Sequence, residues 1–348
     1  MTLASGRRSV AFAMPEADAR HVLAARALME AGHEATLLTA AAAPQVAGVR
    51  TVALGADPAP DAVAAAVASA GADLVLLSAA MPRARDVARG ARRALAALWL
   101  HDLIPLTERP AWRLRLARGL AGLPRRRVTP VPGLDPAAPP DPQARYLPWP
   151  VRRDPGVMPG RADAPVTVLA LGALGVPGDN LDRVVDALRD AGRSGRARLV
   201  IADCASGAAG APDARYLSWL KAVADDESWI DLRRDPPHAE RVALYAQAHV
   251  CVLPVEDAAL GHGPVEAMAY GAVPVISTGA GAAGYLTDGR DGLRVDVGAS
   301  GALETALGQL VADTPYRARL AAGARATAED AFSPAQFVAR IEALAAEG

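Results

Sequence analysis

Twice along this chain a run of short apolar segments alternates with amphipathic, alanine-rich stretches, and that alternation admits few folds. In the first half, Val10–Met14, Ala35–Leu38, Thr51–Leu54, Leu74–Leu77 and Leu98–Leu100 read as strands. Ala19–Ala31 (closed by Gly32), Asp61–Ser69 and Ala84–Ala97 read as helices between them. Short apolar strands separated by helices of this length form βαβ units, which require a parallel sheet covered on both faces. Between Pro130 and Pro150 the proline density rises beyond what a helix or central strand tolerates, so this stretch reads as loop or linker. A looser stretch, Val151–Pro165, follows and is expected to hold the domain boundary. The alternation then restarts. Val166–Leu171, Ala197–Ala202, Trp229–Leu232, Val250–Leu253 and Val273–Ser277 read as strands. The intervening helices are Asn180–Ala191, Pro212–Asp226, Ala239–Gln247 and Pro264–Tyr270.

The 348 residues suit two domains, at roughly 100–200 residues each. With 51% hydrophobic residues the chain can fill two cores, and 22% charged residues argues against disorder. The expected division is 1–150, 151–330, and a terminal helix over 331–348 that returns to the first domain. Only two cysteines occur, so a disulfide scaffold or cysteine zinc site is not expected; Cys204 and Cys251 read as small buried apolar residues in a reducing cytoplasm. No apolar run approaches the ~20 residues of a membrane span. No aspartate pair or histidine cluster points to a metal, and no cofactor is expected.

The segment from Leu244 to Val295 narrows the reading. It contains Leu260-Gly261-His262-Gly263-Pro264-Val265-Glu266-Ala267-Met268-Ala269-Tyr270-Gly271, then Ala-Val-Pro-Val-Ile-Ser, then Asp288-Gly289-Arg290-Asp291-Gly292. In order and spacing this resembles the donor half of the family-4 glycosyltransferases. The first half adds His101-Asp102-Leu103-Ile104-Pro105-Leu106 directly after a strand, similar to the histidine-bearing turn of sugar transferases of polysaccharide assembly. The resemblance implies a GT-B fold, with two Rossmann-like domains whose parallel sheets face a central cleft. It also implies retaining, metal-independent transfer of a hexose from a nucleotide-sugar to a hydroxyl acceptor, a glycan or lipid-linked saccharide.

Physical chemistry gives these positions a rationale of its own. Gly261 and Gly263 precede a helix that starts near Pro264 and Val265; glycines let a ligand approach the backbone, and helix N-termini favour phosphate. Glu266, in the first turn, is placed to accept hydrogen bonds from ribose hydroxyls, or simply to complement the helix dipole. His262 falls in the same loop, where the family carries an apolar residue. His101 ends a strand on the side where such folds place their sites; its imidazole is a candidate to bond the transferred sugar. Asp102 would orient a neighbouring group or cap the following turn.

The family's pattern is incomplete here. Its first glutamate would fall at Ala258, with Glu256 and Asp257 as nearby substitutes. Gly172 opens the segment after the first strand of the second domain, where the family places an arginine and a lysine; residues 172–180 contain neither. Arg233 and Arg234, after another strand, are the candidate replacements, with the loop to Pro237 near the base; a solvated surface pair is the competing reading. The glycine pair expected after Met14 is Pro15-Glu16-Ala17-Asp18, and a later glutamate position is Gly284. These gaps keep two alternatives open: a degenerate binding or partner subunit, and an enzyme with an unusual donor or a sugar-nucleotide epimerase.

Charge is distributed unevenly. Residues 1–150 carry 18 Arg against 12 Asp plus Glu, so +6, which leaves −7 for the rest of a chain of net charge −1. From Arg109 to Arg127 there are seven arginines and no acid, interleaved with Trp112, Leu114, Leu116, Leu120 and Leu123. This is the composition of a helix that meets an anionic membrane surface, here the inner face, or a lipid-linked acceptor, although Leu116, Leu120 and Leu123 would equally pack on a sheet. Nucleic acid is not an expected partner, because no aromatic platform accompanies the arginines.

Overall fold

A computed structural model describes residues 6–41, 48–158, 160, 164–203 and 212–347. Cys204 lies outside the described residues. The chain divides into two compact units. The first comprises Met1–Val131, Ala137–Val151 and Phe332–Gly348, the second Pro132–Pro136 and Arg152–Ala331.

In the first unit the strands are β1 (Ser9–Met14), β2 (Glu34–Thr39), β3 (Arg50–Ala53), β4 (Leu74–Ser78), β5 (Ala97–His101), β6 (Arg127–Thr129) and β7 (Ala144–Tyr146). Its helices are α1 (Ala19–Glu30), α2 (Pro60–Ser69), α3 (Ala84–Arg93) and α4 (Trp112–Leu120). All seven strands pair in parallel, in the order β3-β2-β1-β4-β5-β6-β7. Alternation along β1 sets the two faces. Ala11 and Ala13 join Leu38, Val75, Leu77 and Leu100 against Val63 and Val67 of α2 and Val87 of α3. Phe12 points the other way, stacking with Phe337 and lying tilted against Trp149.

The second unit contains β8 (Val166–Gly172), α5 (Leu181–Arg193), β9 (Ala197–Asp203), α6 (Ala214–Asp226), β10 (Ile230–Arg233), α7 (His238–Gln247) and β11 (Val250–Leu253). It continues with α8 (Gly263–Ala269), β12 (Val273–Ser277), β13 (Leu293–Val295), α9 (Ala302–Ala312) and α10 (Thr314–Phe332), whose last residue is counted with the first unit. α11 (Pro334–Glu347) belongs to the first unit. The six strands are again parallel, in the order β10-β9-β8-β11-β12-β13. Val166, Val168 and Ala170 of β8 meet Val184 and Leu188 of α5 and Leu307 of α9 in one core. Cys251, in β11, is buried as its apolar surroundings predict.

Two expectations need correction. The stretch Pro130–Pro150 is not simply a linker: β7 lies within it and Trp149 is buried in the first unit. The prolines flank a three-residue strand without interrupting it, which is how proline and sheet coexist. The helix expected over Ala84–Ala97 ends at Arg93, because Leu95 takes a left-handed conformation (φ 59°) that starts β5 two residues later.

Candidate functional site

In a parallel sheet, loops leave the strand C-termini in opposite directions where the strand order reverses, and a crevice opens there. The reversals fall between β1 and β4 in the first unit and between β8 and β11 in the second. Apart from Arg233 and Arg234, the residues singled out from the sequence follow these strands or lie on their neighbours.

In the second unit, the loops after β8 and β11 are tied together. Asn180, in a left-handed conformation (φ 49°), donates from Nδ2 to the carbonyls of Gly178 and Pro254. The Glu256 N–H donates to the Gly178 carbonyl at 2.8 Å. Glu256 and Asp257 are exposed, and a Cβ on Gly178 would stand 3.7 Å from Oε2 of Glu256. Ala258 is buried and bridges to Ala280, so this position has turned from the crevice into the core. At the end of β8, Gly172 abuts Asp179: a Cβ would lie 2.9 Å from Oδ2, which accepts the Ala173 N–H at 2.5 Å. A fully buried carboxylate therefore clips the loop where bases were sought.

Gly261, His262, Gly263, Pro264, Val265 and Glu266 lie together at the start of α8. His262 is the N-cap and is buried; Pro264 occupies the first turn; Glu266 is half-buried in that turn. The glycines, however, are explained by the protein itself. Gly261 has φ +75°, and a Cβ there would come within 2.2 Å of Leu253 Cδ2; at Gly263 it would meet Leu171 Cδ1 at 2.4 Å. Both are needed for the loop to pack over β11 and β8, so close approach of a ligand is not required to account for them.

Arg233 and Arg234 are not brought to this loop by the sheet. β10 is the edge strand, three positions from β11, or about 14 Å at the usual strand spacing. Arg233 is exposed and pairs with Asp231 at 2.8 Å and Glu240 at 3.5 Å. The surface-pair reading describes it better; Arg234 is exposed beside it.

In the first unit, His101 closes β5, in register with Ser78 of β4. Its ring lies 5.2 Å from that of Trp149, and Trp149 is 4.7 Å from the ring of His21. His101 Nε2 is buried with no hydrogen-bond partner among the described residues. Burial, reinforced by the positive charge of His21 and Arg20, lowers its pKa to about 3, so the imidazole is neutral across the physiological range. Sequence reasoning missed the cap of α1, whose His21 lies against Trp149. Asp18 caps α1, accepting from the Arg20 and His21 N–H groups at 2.9 and 3.3 Å, while His21 Nδ1 lies 2.8 Å from its Oδ1. Burial alone would raise the Asp18 carboxyl, but hydrogen bonds from His21 and Arg20 outweigh it and hold the group well below the usual carboxylate range. The capping pattern Asp18-x-x-His21 was the available signal.

Asp102 has a different occupation. Its Oδ1 accepts the Ile104 N–H at 3.2 Å and pairs with Arg127 at 3.1 Å, while Oδ2 pairs with Arg118 at 2.9 Å. Arg127 also pairs with Asp141 and donates to the carbonyls of Ile104, Pro105 and Glu108. Asp102 thus caps the following turn and also holds two neighbouring groups, Arg118 and Arg127. Arg127, counted with the basic surface stretch, is instead 1% exposed. No group of three or more His, Cys, Asp or Glu with metal-site geometry occurs among the described residues.

Comparison with known proteins places this geometry. Residues 161–327 match the model of the family described as glycosyl transferases group 1. No curated protein matches the chain in sequence. Among solved structures, a glycosyltransferase from Rickettsia africae is similar over 98% of this chain and 99% of its own, with TM-score 0.73 at 11% identity. A sucrose-phosphate synthase from Thermosynechococcus elongatus gives 0.71 at 16% identity, covering 98% and 99%. Anabaena HepE in complex with UDP and glucose gives 0.69 at 14%, covering 98% and 100%. The chain has the GT-B glycosyltransferase fold, and its second unit carries the group 1 glycosyltransferase match. The resemblance read from the sequence holds at that level.

Proposed function

We propose that the chain transfers a hexose from a nucleotide-sugar to a hydroxyl acceptor, with retention at the anomeric carbon and without a metal. The observation that carries this reading is the assembly of Gly172, the Gly261–Val265 loop and Glu266 at the β8/β11 reversal, within the matched family segment. Glu266 would hold the ribose, and the first backbone turn of α8 would face phosphate. In the first unit, neutral His101, with an unpartnered Nε2, would bond a hydroxyl of the transferred sugar. Asp102 would position that turn through Arg118 and Arg127. The UDP and glucose in the HepE complex and the ADP in a starch synthase IV complex support a nucleotide-sugar donor. The acceptor would be a glycan or lipid-linked saccharide, met in the cytoplasm at the inner membrane face; no helix of the described residues is long and apolar enough to cross a membrane.

Asp179 and Ala258 favour a second reading. A diphosphate leaving group needs positive charge, commonly the largest catalytic contribution, yet the loop after β8 offers a buried carboxylate and position 258 is a buried alanine. A donor without a full diphosphate, or a subunit that binds nucleotide without turnover, fits this better than efficient diphosphate release. Transfer assays with UDP-, GDP-, ADP- and CMP-sugars separate the readings. Release of one nucleotide, with the product's anomeric configuration retained by NMR, is the expected result. Binding without release would support the partner-subunit reading, and inversion would contradict the retaining mechanism.

A further inference from the structure

Two parts of the first unit have no role in sugar transfer as described. One is α4, where Leu116 and Leu120 stay exposed instead of packing on the sheet; of the three leucines only Leu123 reaches the core. The other is the start of α1, directly after β1 at the reversal of strand order. There Asp18 and His21 are joined. His21 Nδ1 lies 2.8 Å from Asp18 Oδ1, and Asp18 Oδ2 accepts from Nε of Arg20 at 3.0 Å. Despite its partial burial the carboxylate is kept ionised by these bonds. The Asp18 N–H also approaches Nδ1, but at 3.2 Å. The shorter contact, to a charged acceptor, is the stronger and places the imidazole proton on Nδ1. That leaves the lone pair of the neutral ring on Nε2. Nε2 has no hydrogen-bond partner among the described residues and is not sealed from water; the side chain is 14% exposed. The ring stands edge-on to Trp149, which in turn packs against His101. A capping box accounts for the bond at Nδ1, as it would for a glutamine. It does not account for an imidazole tied to a carboxylate with its other nitrogen open.

We propose that His21 is the base that takes the proton of the acceptor hydroxyl, with Asp18 positioning it. The inference rests on the proposed transfer to a hydroxyl and names the group that activates it. A hydroxyl that attacks an anomeric carbon must shed a proton, and a positioned imidazole is the side chain that most often takes one. As the acceptor oxygen bonds to the anomeric carbon, its proton passes to His21 Nε2. The bond from that carbon to the leaving phosphate breaks, and its electron pair stays on the phosphate oxygen. Asp18 stabilises the imidazolium that forms, which then returns its proton to water. This proton transfer accompanies attack from either face, so it does not itself decide between retention and inversion. The charged and titratable groups around His21 are Asp18 and Arg20 from its own turn and His101 from β5, with uncharged Trp149 packed against it.

The test compares two kinds of nucleophile on whichever of the UDP-, GDP-, ADP- and CMP-sugars the wild type turns over. Water and methyl glucoside must lose a proton on attack; azide has none to lose. His21→Gln keeps the cap of α1, Asp18→Asn keeps its N-cap acceptor, and cooperative thermal unfolding shows that each variant is folded. His21→Gln is expected to lower kcat/KM with the hydroxyl nucleophiles by about 10²–10⁴-fold and to leave transfer to azide unchanged. Asp18→Asn should lower the same rates at least tenfold, again sparing azide. Between pH 8 and 5 the wild-type rate with hydroxyl nucleophiles should fall with a one-proton slope that His21→Gln abolishes; His101, at about 3, does not titrate there. Equal losses with both kinds of nucleophile, or no loss with either, would overturn the base while leaving sugar transfer standing. Wild type that turns over none of the four donors would overturn sugar transfer itself, and the base with it.

Discussion

At the residue scale, His101 gives a directional test. Its pKa is lowered from 6.5 to about 3, so the unfolded chain takes up a proton below pH 6.5 that the folded chain refuses. The stability this shift confers is complete above pH 6.5 and is lost as pH falls towards 3, by up to about 1.4 kcal/mol per pH unit. Urea unfolding between pH 7 and 4.5 should show wild type losing stability faster than His101→Gln. Parallel curves would mean that His101 is not held neutral by the fold. The glycines of the α8 loop make the second residue-scale case. Gly263→Ala forces a methyl against Leu171 and should cost about 1–3 kcal/mol in chemical denaturation. It should do so whether or not nucleotide is present, since the conflict lies within the protein. Loss of nucleotide affinity at unchanged stability would restore the ligand-approach explanation drawn from the sequence.

Elements were legible where hydrophobic period alone decides them. β1, β2, β4 and β8 stand out as apolar runs, and α1 and α5 as helices between them, because burial against a sheet imposes the pattern directly. β6 and β7 were not legible, since three residues are too few to show a period and their neighbours are arginines and prolines. The same letters concealed Arg127: in the text it is one of seven arginines, while in the fold it binds the turn after β5 to β7 through Asp102 and Asp141. A buried ion pair broken on one side leaves a charge uncompensated, at about 3–5 kcal/mol. Asp102→Asn should therefore lower the unfolding midpoint markedly, whereas Arg115→Gln, on exposed α4, should leave it unchanged. Equal effects in thermal melts would refute the division of this basic stretch into a structural and a surface part. The placing of Gly261–Glu266 at a helix start and of His101 at a strand end was legible, since glycine spacing and the apolar period carry it. Asp179 was not, because it acts through a loop conformation that no residue period records, and the Asp18–His21 cap was signalled only by its capping pattern.

At the scale of the whole molecule, both units are parallel sheets with one reversal of strand order, and each reversal is flanked by the loops that bear the candidate residues. The charge asymmetry follows the same division: excess arginine belongs to the first unit, where α3 and α4 carry it to the surface, while the second unit is acidic as far as Asp179 beside its own glycine loop. Sugar transfer by this chain requires the second unit to bind a nucleotide despite the missing bases. Calorimetric titration of the purified chain with UDP, GDP, ADP and CMP, repeated on Glu266→Ala, tests this directly. Micromolar binding of one nucleotide is expected, weakened at least tenfold in the variant, the loss of a hydrogen-bonded charge worth about 1.5–3 kcal/mol. Folded protein that binds none of the four, or binds equally well without Glu266, would contradict it.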